Sequence, residues 1–218
     1  MSVVCVTGTD TDVGKTLVTA ALGAALVEQG RSVVAIKPVE SGVERDGVED
    51  GVLLAEATGQ QAPLQALTRL RAPVAPPVAA DREGIRLEPA RWTEVIAQVA
   101  RTVDVTLVEG AGGLLSPLTW TKSLRDLACT WEATAIVVAL DTLGTLNHTL
   151  MTLELLEAAG VRPLGVVLNT LGQDTSTGTN AAALKRVRPF LEVATVPTVA
   201  SWREAIPAMA PVAQWLPL

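Results

Sequence analysis

Val3-Val4-Cys5-Val6-Thr7, then Gly8-Thr9-Asp10-Thr11-Asp12-Val13-Gly14-Lys15-Thr16, then Leu17 to Gln29: this stretch decides the fold of the 218-residue chain. Apolar β-formers run straight into a glycine-bounded loop ending Gly-Lys-Thr, and a helical pattern begins there. A phosphate-loop match carries weight only in that strand–loop–helix setting. Backbone N–H groups at a helix start point at one spot and favour an anion, and Gly14 lets the backbone come close. Lys15 adds a mobile charge for β- and γ-phosphates, and the Thr16 hydroxyl can take a Mg²⁺ position. Five residues separate Gly8 from Gly14, one more than the common pattern has, so Thr9 stands where the first glycine belongs.

Working outward, length and composition fit one large α/β domain over residues 1–218. The chain is 49% hydrophobic and only 18% charged, enough for a sizeable core. A net charge of -6, with no clustered Lys/Arg face, argues against a nucleic-acid partner. Cys5 and Cys129 sit in apolar sequence, and both are expected as plain buried thiols. The first residues enter a strand without a basic and apolar leader, and no apolar run is long enough for a membrane span. The expected setting is cytoplasmic, with no membrane partner.

Short β-branched runs recur at 2–7, 32–36, 104–108, 134–140, 163–168 and 193–196. Between them, 15–29, 88–101, 145–159 and 176–188 carry helix formers at helical spacing. Strands this apolar on both faces predict a mostly parallel central sheet with helices on each side, a three-layer architecture. The proline-rich stretch 69–80 is expected as an ordered loop beside the site, with a disordered linker as the alternative. In an open α/β sheet ligands bind at the carboxyl ends of strands. The residues just past each strand are therefore the informative ones.

After the second strand comes Lys37-Pro38-Val39-Glu40-Ser41-Gly42. Only four of the 17 basic residues are lysines, and two of those, Lys15 and Lys37, stand at strand ends. A compact ammonium that can follow a transferring phosphoryl group is a chemical reason for lysine there. Ser41-Gly42 reads equally as an ordinary turn. After the strand that starts at Asp104 comes Glu109-Gly110-Ala111-Gly112-Gly113, a carboxylate in the Walker B position followed by glycines that let backbone lie against a ligand. Asp141 to Thr149 comes after a further strand and opens a helix. Its His148 is expected as a cap or a packed ring, without a catalytic role. Asn169 reads either as a turn residue or as a nucleobase reader.

Taken together, the loop Gly8 to Thr16, Lys37 to Gly42, Val108 to Gly113 and Leu143-Gly144-Thr145-Leu146-Asn147-His148 resemble the dethiobiotin synthetase family of P-loop NTPases. The likeness holds in order and spacing over most of the chain and is weakest in 43–100 and after 170. The five-residue gap is that family's own form of the loop. The resemblance implies ring closure of 7,8-diaminononanoate (7,8-diaminopelargonate) with CO₂ or bicarbonate and MgATP. A carbamate and then a carbamic-phosphoric anhydride form on the way to dethiobiotin, ADP and phosphate. It also implies a homodimer.

Residue by residue, the resemblance makes Lys15, Lys37 and Thr11 catalytic, with Thr16, Asp50 and Glu109 on Mg²⁺. Asp46 rivals Asp50, because that loop aligns poorly. Thr11, Asp12, Ser41 and Gly112 would meet the diamine and its carbamate, and Leu143 and Asn147 would reach the partner's substrate tail. Position 12 is often Glu in the family, so Asp12 shortens that reach, and its contact with an amine is direct or through water. The nucleotide would lie on Asp12, Val13, Gly14, Lys15, Thr16 and Leu17, with Asp50, Glu109, Gly110, Ala111 and Gly112 around it. Asn169, Pro197, Val199 and Glu204 match the adenine-binding positions. A local alternative makes 143–147 only a helix entry capped by Thr145.

Two other readings compete. An amidoligase of the cobyrinate type usually carries a glutaminase domain, for which the chain leaves no room. A partition or scaffold ATPase carries a second loop lysine, and here Asp10 occupies its position while Thr11-Asp12 replace its glycines.

Overall fold

A computed structural model describes residues 2–43 and 48–217. The first half of the chain runs β1 (Ser2–Gly8), α1 (Lys15–Glu28), β2 (Val33–Ile36), β3 (Val39–Ser41), α2 (Asp50–Thr58), β4 (Thr68–Leu70), α3 (Pro76–Glu83) and α4 (Pro89–Ala100). The second half runs β5 (Val105–Gly113), β6 (Pro117–Thr119), β7 (Lys122–Ser123), α5 (Leu124–Thr130), β8 (Thr134–Leu140), α6 (Thr145–Ala158), β9 (Pro163–Asn169), α7 (Asn180–Val187), β10 (Val193–Val196) and α8 (Trp202–Ala213). The six β-branched runs of the sequence form one sheet in the order β10-β9-β8-β1-β5-β2. Every pair in it is parallel.

The apolar runs are continuous because both faces are covered, and consecutive residues go to opposite sides. Val4, Val6, Ile136 and Val138 pack with α1 and α8 on one face. Cys5, Ala135, Val137 and Ala139 pack on the other with Trp92 and Ile96 of α4 and Leu153 of α6. Helix α1 is buried nearly all round, from Val18 through Leu26, because α2 and α8 cover the side turned away from the sheet.

Two local expectations need correction, and one helix was not expected. The stretch 69–80 is only partly loop: β4 takes Thr68–Leu70 and α3 begins at Pro76, where a fixed φ suits a first helical turn. Helix α8 was hidden by its internal Pro207 and Pro211, yet it forms because Ala205, Met209, Val212 and Ala213 bury one stripe against the core. Cys5 is buried as expected, but Cys129 is exposed at the end of α5, where its Sγ donates to the Ala159 carbonyl at 3.4 Å. Among the described residues no helix is long and apolar enough to cross a membrane.

Candidate active site

The loop after β1 turns sharply to place α1. Asp10 Oδ1 accepts the N–H of Thr11 at 2.7 Å, Asp12 adopts φ 55°, and Gly14 adopts φ 93° immediately before the helix. Asn169, at the end of β9, donates from Nδ2 to the Val13 carbonyl at 3.1 Å. A Cβ on Gly14 would stand 2.0 Å from that nitrogen, so φ and crowding both demand glycine. Lys15, the first residue of α1, folds back so that Nζ donates to the Asp10 carbonyl at 2.8 Å. Burial, with Lys37 as a like-charged neighbour, holds the Lys15 ammonium below its ordinary pKa, against the opposing pull of Glu109.

A cluster of opposite charges lies beside the loop. Glu109, on β5, is fully buried, and its Oε1 accepts from Thr16 Oγ1 at 2.7 Å and from Lys37 Nζ at 2.5 Å. Lys37 Nζ also donates to Asp50 Oδ2 at 2.6 Å. Burial alone would lower the Lys37 pKa, but Glu109 and Asp50 outweigh it and hold the ammonium above its ordinary value. Among the described residues, Glu109 Oε2 is buried without a hydrogen-bond partner. Beyond Glu109 the pairing slips: Val6 faces Glu109 while Gly8 already faces Gly113. Gly110, Ala111 and Gly112 are the residues taken up by this bulge, and Ala111 and Gly112 line the cavity.

Asp50 opens α2. Its N–H and that of Gly51 are bound by the carboxylate of Glu40, at 2.6 and 3.0 Å. Burial pushes the Glu40 carboxyl above the ordinary carboxylate range, against the downward pull of those two donors. No role followed for Glu40 from sequence; its place between Lys37 and Ser41 in one motif was the available signal. Asp46, the rival to Asp50, lies outside the described residues.

Thr11, Asp12, Lys15, Thr16, Lys37 and Asp50 line a cavity of about 390 Å³, which Gly14, Leu17 and Ser41 also border. A second cavity of about 480 Å³ adjoins it across Thr11, Asp12, Ser41 and Gly112, and its far wall is Pro73, Val74, Ala75 and Pro117. That apolar wall supplies site residues the sequence reading passed over, although it placed the proline-rich stretch beside the site.

The remaining predicted residues lie on other flanks. Val13 is buried, and Leu17 and Val199 both pack partly buried on the core. Pro197 follows Val196, the strand partner of Asn169, and is exposed. Glu204 is in the first turn of α8 and accepts the Ala200 N–H at 3.1 Å. Leu143 and Asn147 are exposed and border neither cavity, and the Leu143 N–H is held by Asp174 Oδ2 at 2.7 Å. Helix α6 is entered through Gly144 without a side-chain cap, so Thr145 is not the cap and is itself buried. His148 is exposed, neither a cap nor a packed ring.

The donor set suits a hard divalent cation. Two carboxylates and a hydroxyl converge, one buried carboxylate oxygen is unpartnered, and Mg²⁺ is usually held by one or two carboxylates together with substrate phosphates. Among the described residues there is no cluster of three His, Cys, Asp or Glu able to make an all-protein cage.

Comparison with known proteins adds independent findings. The AAA domain family matches residues 2–205. An ATP-dependent dethiobiotin synthetase of Rhodococcus erythropolis is 43% identical over 179 residues, covering 80% of this chain and 78% of the relative. One from Aquifex aeolicus is 36% identical over 189 residues, covering 85% of this chain and 86% of the relative. The fold is also that of the cell division ATPase MinD of Pyrococcus furiosus, with a TM-score of 0.64 at 20% identity over 98% of this chain and 97% of that one.

Proposed function

The chain belongs to the ATP-dependent dethiobiotin synthetase family, and from that premise we propose how its own residues carry the reaction. It is an ATP-dependent ligase that forms C–N bonds. The likeness to MinD, at 20% identity, concerns the fold alone and does not revive the switch reading. The substrates we assign are 7,8-diaminononanoate, CO₂ or bicarbonate, and ATP with Mg²⁺. One amine takes up CO₂ as a carbamate, the carbamate is phosphorylated, and the second amine attacks the mixed anhydride and releases phosphate.

Supporting this reading is the placement of a second buried lysine. Lys37 reaches from just past β2 into the cavity that Lys15 and Thr16 line at the start of α1. A phosphate-binding loop needs one lysine; a reaction that joins two anions, a carbamate and a γ-phosphoryl group, gains from two. Lys15 would hold the β- and γ-phosphates, and Lys37 would neutralise the carbamate oxygen as it approaches phosphorus. Thr11, Asp12 and Ser41 border both cavities and would orient the diamine head, with the Asp12 carboxylate accepting an N–H of an amine that attacks in its neutral form. Pro73, Val74 and Ala75 offer an apolar wall to its methylene chain. Thr16, Glu109 and Asp50 would hold Mg²⁺, which when bound supplies charge neutralisation of the phosphates. The Oδ1 of Asn169, unpartnered among the described residues, is an acceptor suited to an adenine amino group.

We also infer a homodimer in the cytoplasm. Leu143 is 81% exposed at the mouth of α6, and Met151 and Leu171 are exposed too, which suits a face covered by a second copy. The free thiols Cys5 and Cys129 suit a reducing compartment. The deciding experiment measures phosphate release from MgATP with the diamine and bicarbonate supplied singly and together. Release is expected only when both are present, and equal release without the diamine would overturn the assignment.

A further inference from the structure

The start of α2 is capped from outside its own segment. Glu49 stands in the capping position, makes no side-chain cap, and instead pairs its carboxylate with Arg69. The orphan N–H groups of Asp50 and Gly51 are taken by the two oxygens of Glu40, which lies on β3 and is 8% exposed. A carboxylate suits that place, because a helix N-terminus favours negative charge and charge-assisted hydrogen bonds are the stronger kind.

We propose that Glu40 is a positioning residue that sets the Asp50 carboxylate against Lys37 and Glu109 and thereby shapes the Mg²⁺ position. The inference rests on the reading of Asp50 as linked to Mg²⁺. Three observations carry it. Asp50 is tied through its own N–H to Glu40 and through its side chain to Lys37, so both ends of the residue are held by the 37–41 segment. The helix start is also pressed onto backbone: a Cβ on Gly51 would stand 2.3 Å from the Ala66 nitrogen. That backbone is in turn fastened to the lysine strand, with Leu67 N–H donating to the Lys37 carbonyl at 2.9 Å and Thr68 N–H to the Pro38 carbonyl at 3.1 Å. Glu40 thus completes a closed frame in which the lysine and the Asp50 carboxylate move together. Groups that orient a metal-linked carboxylate commonly matter for metal affinity as much as activity, by about 10- to 100-fold.

The test measures the Mg²⁺ concentration that half-saturates binding of a non-hydrolysable ATP analogue, by titration calorimetry, with Mn²⁺ resonance spectra as a second readout. Wild type is compared with Glu40→Ala, Glu40→Gln, Asp50→Asn and Glu40→Ala combined with Asp50→Asn. Asp50→Asn and Glu40→Ala should each raise the half-saturating Mg²⁺ about tenfold. Analogue affinity without metal is measured alongside, and the shift in half-saturating Mg²⁺ is read against each variant's own metal-free value. Glu40→Gln keeps one acceptor and should lie between, and Glu40→Ala should add nothing once Asp50 is already Asn. An unshifted Glu40→Ala beside a shifted Asp50→Asn overturns the positioning role. So does a full extra shift in the combined variant. An unshifted Asp50→Asn overturns the metal reading itself. Should Glu40→Ala not fold, Glu40→Gln with and without Asp50→Asn carries the same comparison.

Discussion

Lys37 Nζ lies 2.5 Å from Glu109 Oε1 and shares that oxygen with the hydroxyl of Thr16, in a place where Glu109 is wholly removed from water. Neither charge is tolerable alone there. Removing one partner of a buried pair typically costs about 3–5 kcal/mol, because the other charge stays behind without compensation. Lys37→Met should therefore lower the stability of the unliganded protein by about 3 kcal/mol in urea unfolding. It should also abolish ring closure while ATP binding remains measurable. Mg²⁺ with ATP should recover much of the lost stability, since a cation then faces Glu109 again. Wild-type stability together with normal turnover would remove Lys37 from both roles.

The two lysines respond to pH in opposite senses. Lys37 has a raised pKa in the fold, so its stabilising contribution is complete below the ordinary value of 10.5 and is lost as pH rises through the raised one. Lys15 has a lowered pKa, so the fold bears a cost for its charge that disappears as pH climbs from the lowered value towards 10.5. Bound phosphates reverse that cost and favour the charged form. ATP affinity of the wild type should consequently weaken as pH rises through the lowered Lys15 pKa towards 10.5. Lys15→Met should bind weakly throughout, with no such slope. Calorimetric titration of ATP across that range distinguishes the two, and a flat wild-type profile would show that Lys15 does not meet the phosphates.

Legible in the sequence alone was whatever depends on local chemistry. The six sheet strands were visible because each is β-branched and, the edge strand β10 with its exposed Thr195 apart, buried on both faces, and Lys37, Glu109 and Asn169 were visible because strand ends face the ligand side of such a sheet. Glu40 was not visible in this sense. Its partners Asp50 and Gly51 are brought to it by a loop and a helix entry, and no spacing rule encodes that encounter. Helix α8 escaped because two prolines outweigh its propensity while burial of Met209 and Val212 outweighs the prolines. Cys129 was misjudged because apolar neighbours in sequence do not place a residue at the inner face of a helix end.

Gly14→Ala should be far more damaging than a change of one methyl suggests. The backbone there is left-handed at φ 93°, which costs a residue with a Cβ about 1–2 kcal/mol, and the added carbon would stand 2.0 Å from Asn169 Nδ2. Loss of stability by more than the about 1–2 kcal/mol of φ strain alone and loss of nucleotide binding are expected together. Adding Asn169→Ala removes the collision but not the φ strain. The double variant should regain stability only in part, and it should discriminate poorly between ATP and GTP if Asn169 reads the base. Thermal unfolding and nucleotide titration of Gly14→Ala, Asn169→Ala and the double variant separate the two causes.

Asn147 offers the sharpest test of the dimer. It is exposed on the first turn of α6 and borders neither cavity of its own chain, the placement expected of a residue that meets substrate across an interface. The entry to that turn is held in place, with Leu143 N–H on Asp174 and the Asp141 carboxylate taking Gly178 N–H and Asn180 Nδ2 at 2.8 and 2.7 Å. Free N–H groups at a helix start, with an amide beside them, suit a carboxylate tail. Asn147→Ala should raise KM for the diamine about tenfold, the cost of one hydrogen bond to a charged group, and leave KM for ATP within about twofold. Mixing Asn147→Ala with inactive Lys37→Met subunits then decides whether the contact crosses between copies. Each mixed dimer has one centre with Lys37 intact, on the Asn147→Ala subunit. If the contact crosses, the Lys37→Met subunit supplies an intact Asn147 to that centre. Mixed dimers should therefore recover wild-type diamine KM at their single working centre. Persistence of the raised KM in the mixture would place Asn147 on its own subunit's substrate and overturn the shared-site arrangement.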